Sequence, residues 1–199
     1  MIDQRELFAE PSKPHDHGCK VSLKIPAHWT VAADFDGPNQ CYRYTLVHRW
    51  AAGPMALIAM KNPSAADIRV GDQTVMKTAR IFRRLGFGAQ VVVNSCAYRH
   101  VTPAKLREIE DPVGPRNLTA IANAAADADL VVVAHGLLPG ALQKHADAMC
   151  ETLLNAGHNL HVLRLTAGGV PMHPLYIPND TDPVVWRRLH ERRIPCRRT

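Results

Sequence analysis

Apolar side chains recur along this chain in two rhythms. From Tyr42 through Arg43, Tyr44, Thr45, Leu46, Val47, His48 and Arg49 to Trp50, aromatic or apolar residues alternate with polar ones, the period of a half-buried β-strand. This strand is expected to run antiparallel at a sheet edge. Beyond it the pattern changes to continuous apolar runs at Met55 to Met60, Gln90 to Asn94, Leu130 to His135 and Leu160 to Thr166. Runs without alternation mark strands covered on both faces, as parallel strands are. Helical spacing separates them. Asp72 can cap a helix that carries Val75, Ala79 and Phe82 on one face and ends at Gly86. A second helix is expected over about Asn117 to Ala126, and a third over about Leu142 to Asn155, closed by Gly157. The pattern predicts an α/β fold, a three-layer α/β/α sandwich with a mainly parallel central sheet.

The flanks differ from this core. Residues 1–40 contain Pro11, Pro14, Pro26 and Pro38 with little periodicity and read as an N-terminal arm or cap around a short strand at Val21 to Ile25. Residues 41–186 form the α/β domain. Residues 187–199 form a basic tail with Arg187, Arg188, Arg192, Arg193, Arg197 and Arg198, which suits either a solvated helix or a phosphate-contacting arm.

Length and composition fit this division. A chain of 199 residues, 46% hydrophobic and 21% charged, is enough for one folded domain and argues against extensive disorder. Its longest apolar stretches, Pro54 to Met60 and Leu130 to Ala134, fall far short of the roughly 20 residues needed to cross a bilayer. The first residues carry acidic side chains and no apolar core of the length a secretory signal requires. A cytoplasmic location without membrane contact is expected. The five cysteines lack a short repeated spacing, so free thiols are expected, with no metal or other cofactor. Lys and Arg outnumber Asp and Glu by 24 to 18, a net +6 compatible with phosphate-bearing partners.

In open parallel sheets ligands bind where loops leave the carboxyl ends of strands. Three such loops carry polar residues. In Lys61-Asn62-Pro63-Ser64-Ala65-Ala66-Asp67, Pro63 biases Asn62 to an extended conformation, so that its amide projects in a fixed direction; a turn with a helix cap is the plainer alternative. In Asn94-Ser95-Cys96-Ala97-Tyr98-Arg99, the Asn94 amide matches the edge of a nucleobase, Tyr98 can stack and Arg99 can meet a phosphate. The same residues also suit loop bracing and core packing. In the third loop, His173 before Pro174, with Tyr176 beyond, can donate to a developing anion, or be structural. Asp111-Pro112-Val113-Gly114-Pro115-Arg116-Asn117 reads as a rigid turn, or as a helix start that sets Arg116 and Asn117 beside an anion.

Other signals are weaker. Leu85-Gly86-Phe87-Gly88 lacks the spacing of a dinucleotide fingerprint, and no Walker-type loop occurs. His15, Asp16, His17 and Cys19 are ligand-type residues, yet successive positions rarely converge on one ion. Ser64 and His173 with Asp67 or Asp111 would suit a hydrolase triad, but no GxSxG elbow accompanies them.

Taken together, these segments resemble a family of uncharacterised bacterial and phage proteins, the domain of unknown function 1643, over roughly Tyr42 to Trp186. The matching stretches are Tyr42-Arg43-Tyr44, Asn62-Pro63-Ser64 with Ala66-Asp67, Val93-Asn94 with Ala97-Tyr98-Arg99, Asp111 to Pro115 with Asn117, and His173-Pro174-Leu175-Tyr176. The motif order is also similar, more faintly, to the uracil-DNA glycosylase superfamily. That resemblance implies an attacking water positioned by Asn62, a base read by Asn94 and a departing base anion stabilised by His173. It also implies a three-layer α/β/α fold. Ala65, Leu118, Ala167 and Met172 stand where the first family usually has Thr, Asp and two basic residues. Against the second pattern, the Gly before Asn-Pro is missing and Leu175 replaces a small Ser.

The expectation is a DNA glycosylase-like protein that binds a normal or modified nucleobase and hydrolyses its N-glycosidic bond, with Asn62 and His173 as catalytic residues. Pro63, Ser64, Asp67, Asn94, Tyr98, Arg99, Arg116, Asn117, Pro174 and Tyr176 would bind a nucleic acid or nucleotide partner. The alternatives are a binding module without chemistry and an enzyme acting on free nucleotides.

Overall fold

The computed structural model describes residues 23–64 and 66–187. Two strands, β1 (Leu23–Lys24) and β5 (Val70–Gly71), pair antiparallel as a small separate ladder. The central sheet has seven strands: β2 (Thr30–Asp36), β3 (Tyr42–Arg49), β4 (Met55–Met60), β6 (Ala89–Asn94), β7 (Leu130–Val133), β8 (Leu160–Val162) and β9 (Val184–Arg187). Their spatial order is β2-β3-β6-β4-β7-β8-β9.

The expected continuous apolar strands form the centre, where β6, β4, β7 and β8 run parallel. The sheet as a whole is mixed rather than mainly parallel, because β2, β3 and β9 pair antiparallel at its two ends. β3 is not the edge strand that its alternation suggests, since β2 pairs along it. The last apolar run is also shorter as a strand than expected. It leaves the ladder after Val162, and its remainder enters a hairpin in which Thr166 N–H donates to Val170 O and Met172 N–H to Arg164 O. Likewise β7 ends at Val133, two residues before His135.

Helices cover both faces of the sheet. α1 (Gln73–Arg84) is capped by Asp72, whose carboxylate accepts from Val75 N–H at 2.9 Å, and its chain reverses at Gly86 with φ 86°. Val75, Ile81 and Phe82 of α1 pack with Leu46, Ile58 and Val92 on one face. α2 (Asn117–Ala126) and α3 (Gly140–Asn155) supply Ile121, Met149 and Leu153 to the other face, against Leu57, Val91 and Val131. Successive strand residues point to opposite faces, so the unbroken apolar runs of β4 and β6 feed both layers at once.

Two features of this topology place the site. The chain leaves β4 by α1 to reach β6 on one side, then returns by α2 to β7 on the other side, so the strand order reverses at β4 and a crevice opens at its carboxyl end. The second feature is a bulge in β3. Asp34 pairs with Thr45, but the next residue of β2, Phe35, pairs with Arg43, which leaves Tyr44 as the extra residue. Tyr44 then packs with Ala97 and with Ala120 of α2, while Arg43 turns to the α1 side of the sheet.

Candidate functional site

The carboxyl ends of β4 and β7, the segment beyond β6 and the loop ending at Tyr176 enclose two adjoining chambers. The smaller, of about 100 Å³, is polar. Arg43, Lys61 and Asn62 line it together with Ser64, Asp72 and the His100 to Pro103 segment. The larger, of about 460 Å³, is bounded by Gly136 and Leu137 after β7, by Thr166 and Met172 of the hairpin, and by Leu175 and Tyr176. Lys61, Pro103 and His173 belong to the walls of both. A cleft of this size, mostly apolar with a few convergent polar groups, is the common form of a small-molecule site.

Asn62 is held by its amide nitrogen, which donates to Pro63 O at 2.9 Å and to His100 O at 2.6 Å. The side-chain carbonyl oxygen is therefore the end of the amide that can accept a hydrogen bond from a ligand or a water. His173 precedes a short 3-10 helix, Pro174–Tyr176, and its Nδ1 accepts from Leu175 N–H at 3.4 Å. That contact places the ring proton of the neutral imidazole on Nε2. Gly136 sits behind His173 with φ 68°, where an added Cβ would lie 3.0 Å from the Cβ of His173. A bulkier residue there would displace the imidazole. Tyr176 is 76% exposed at the mouth, its ring 6.1 Å from that of His173 and edge-on to it.

Arg43 is the residue that sequence reasoning missed. Only 2% of it is exposed, one terminal nitrogen donates to Ala66 O, and its Nε is buried without a hydrogen-bond partner. Burial lowers its pKa to about 10, against the opposing pull of the Asp72 carboxylate. Asp72 is engaged elsewhere, accepting from Val75 N–H and from Ser64 Oγ at 2.6 Å. Burial also lowers the pKa of the Lys61 amine. The ion pairs among the described residues include neither Arg43 nor Lys61.

The remaining expected residues serve other ends. Asn94 registers with Met60 across the parallel ladder but is fully buried and lines neither chamber, and both polar atoms of its amide lack partners. Asn117 donates from its amide to Asn94 O at 2.9 Å and so braces the segment after β6. Tyr98 bridges to Tyr42, and Arg99 donates to Gln40 O with its guanidinium 5.0 Å from the Phe35 ring, so both face the β2 end of the sheet. Arg116 forms ion pairs with Asp34 and Asp36. Asp67 accepts from Arg69 N–H and Val70 N–H in a local turn. Pro63 and Pro174 are buried, Pro63 fixing Asn62 through its carbonyl. Thus Asn62, Ser64, His173 and Tyr176 converge, whereas Asn94, Tyr98, Arg99, Arg116, Asn117 and Asp67 stand apart from the chambers.

Among the described residues no group of three or more His, Cys, Asp or Glu side chains could hold a metal ion, and Cys41, Cys96 and Cys150 are free and buried. No described helix is long and apolar enough to cross a membrane. His15, Asp16, His17, Cys19, Cys196 and the arginines beyond Arg187 lie outside the described residues.

No curated protein and no solved structure matches the chain. A family model does match, over residues 43–175, a span that begins at the buried arginine and ends two residues after His173. The chain belongs to the family described as a protein of unknown function, DUF1643.

Proposed function

We propose that the chain binds a nucleobase in the cleft and hydrolyses its N-glycosidic bond, as a glycosylase does. The observation that carries this reading is the convergence of Asn62 and His173 on the wall of one chamber, the amide nitrogen of Asn62 fixed by His100 O and the Nδ1 of His173 by Leu175 N–H. Asn62 Oδ1 would hold a water by accepting a hydrogen bond from it. The water oxygen adds to C1′ of the sugar, the bond from C1′ to the base nitrogen breaks, and the electron pair leaves on the base. The Nε2–H of His173 would stabilise the resulting anion, which finally takes up the proton released by the water. The apolar larger chamber suits a planar base, and Tyr176 at its mouth offers a stacking face. The likeness of motif order to the uracil-DNA glycosylase superfamily, and helices on both faces of a parallel sheet core, are consistent with this reading.

The test is incubation of the chain with nucleosides, nucleotides and DNA carrying normal and modified bases, followed by mass analysis for released base and abasic sites. Once a substrate is found, His173→Ala should raise the barrier by about 2–4 kcal/mol with little change in binding, the scale for losing one aimed donor. Asn62→Asp keeps the shape and supplies a stronger base for the water, so turnover should persist or rise. If both variants fold and leave turnover unaltered, the hydrolytic reading fails. Binding without base release would instead identify a module without chemistry.

A further inference from the structure

We propose that the small chamber is an anion subsite that takes the phosphate of a free nucleoside monophosphate, held by Arg43 and Lys61. The inference rests on the nucleobase reading of the adjoining larger chamber.

A guanidinium removed from water is costly unless opposite charge or acceptors replace its hydration. Arg43 is 98% removed from solvent, has a buried Nε with no partner and takes part in no ion pair among the described residues. It is not a surface residue that failed to find a carboxylate. The β3 bulge turns it inward, and it forms part of a chamber wall that also contains the half-buried amine of Lys61. Asp72 is the acidic side chain in that wall, and it caps α1 and accepts from Ser64. Two cations therefore face one small space alongside one carboxylate already engaged in hydrogen bonds. A group bearing several anionic oxygens meets both positive charges at once, and the terminal nitrogens of Arg43 match phosphate oxygens.

The dimensions favour a terminal phosphate over one within a polymer. The small chamber, about 100 Å³, adjoins the larger one at Lys61, Pro103 and His173. A phosphodiester chain must both enter and leave such a space, whereas a monoester ends in it. With the phosphate at the Arg43 end and the base in the larger chamber, the sugar crosses the junction beside His173.

The probes are nucleoside 5′-monophosphates, the matching nucleosides, and single-stranded oligonucleotides with and without a 5′-phosphate, titrated calorimetrically into the full chain. The monophosphates should bind about tenfold to a hundredfold tighter than their nucleosides, the scale of charge-assisted hydrogen bonds. Arg43→Met should abolish that gap and Lys61→Gln should narrow it. Lys61 is half-buried, so its variant decides the matter should Arg43→Met fail to fold. Equal binding of nucleosides and monophosphates, no binding of either, or a gap that survives substitution overturns the subsite. A phosphate gain confined to oligonucleotides overturns the free-nucleotide assignment. Phosphate-dependent binding without base release would leave the subsite standing while the hydrolytic reading fell. Base release from nucleosides with no phosphate preference would do the reverse.

Discussion

Arg43 and Arg116 flank the same bulge and live in opposite conditions. Arg116 is half exposed, its Nη2 3.2 Å from Asp34 and its Nε 3.1 Å from Asp36, with its guanidinium 4.6 Å from the ring of Tyr44. Hydrogen bonds to the two carboxylates raise its pKa, and it in turn joins the Gly37 backbone amide in holding the Asp36 carboxyl below its ordinary value. Arg43, the residue preceding the bulge, has no ion-pair partner among the described residues, and burial pulls its pKa in the other direction. A motif or charge count treats the two alike. The structure separates an arginine paired with two carboxylates from one whose buried guanidinium has a single backbone acceptor and no ion pair among the described residues.

The sharpest test of this contrast is acid stability, because His48 lies on the same strand as Arg43 and within its field. Burial, aided by the Arg43 charge, lowers the His48 pKa from 6.5 to about 4, and neither ring nitrogen has a partner. The unfolded chain therefore binds the extra proton first as pH falls. Stability from this group is present above about pH 6.5 and is lost progressively towards pH 4, by roughly 3 kcal/mol in all. Urea melts from pH 7 to pH 4.5 should show the loss, and His48→Leu should flatten the profile. An unaltered profile would mean that His48 is not buried as a neutral ring.

Next comes direct removal of each charge. Arg43→Met should raise stability in urea by about 1–4 kcal/mol while it removes phosphate-dependent binding, because a buried cation only partly compensated by Ala66 O and the Asp72 charge is exchanged for apolar bulk of similar length. Arg116→Met should leave the melting temperature within the spread of replicate melts, as exposed ion pairs contribute little. Equal responses from the two would erase the distinction. A smaller effect separates a buried polar group facing the cavity from one walled off from it. Asn94 is also buried and unpartnered but lines neither chamber, so Asn94→Leu should gain about 1 kcal/mol and leave nucleotide affinity unchanged, measured by the same melts and titrations.

Much of this was legible in the sequence, and the rest was hidden for physical reasons. The parallel core and the three helices were written in their periodicities, with α2 beginning at Asn117 and ending at Ala126 as expected. That Asn62, Ser64, His173 and Tyr176 line the chambers was legible because strand-end polar residues have a known place in such sheets. β2 was not, since Thr30–Asp36 is partly exposed, with no fully buried residue, and is a strand by virtue of pairing with β3. Arg43 was concealed by its own pattern. In a regular strand, Tyr42-Arg43-Tyr44 reads as two inward aromatics and an outward charge, and only a bulge, which leaves no mark in the alternation, reverses that reading. The burial of Asn94 was not legible either, because a polar residue ending a strand gives no sign of the neighbouring segment that closes over it.

The bulge at Tyr44 also has a thermodynamic consequence. By forcing a charge to give up its water as the sheet closes, it ties the folding equilibrium to whatever restores the lost contacts. An occupant that binds the closed sheet and not the open chain then shifts the melting transition upward with its concentration, by about RT ln(1 + [L]/Kd). An occupant of the proposed subsite would thus be reported by heat resistance before any reaction is known, and a shift that vanishes with Arg43→Met would mark which compounds reach that charge.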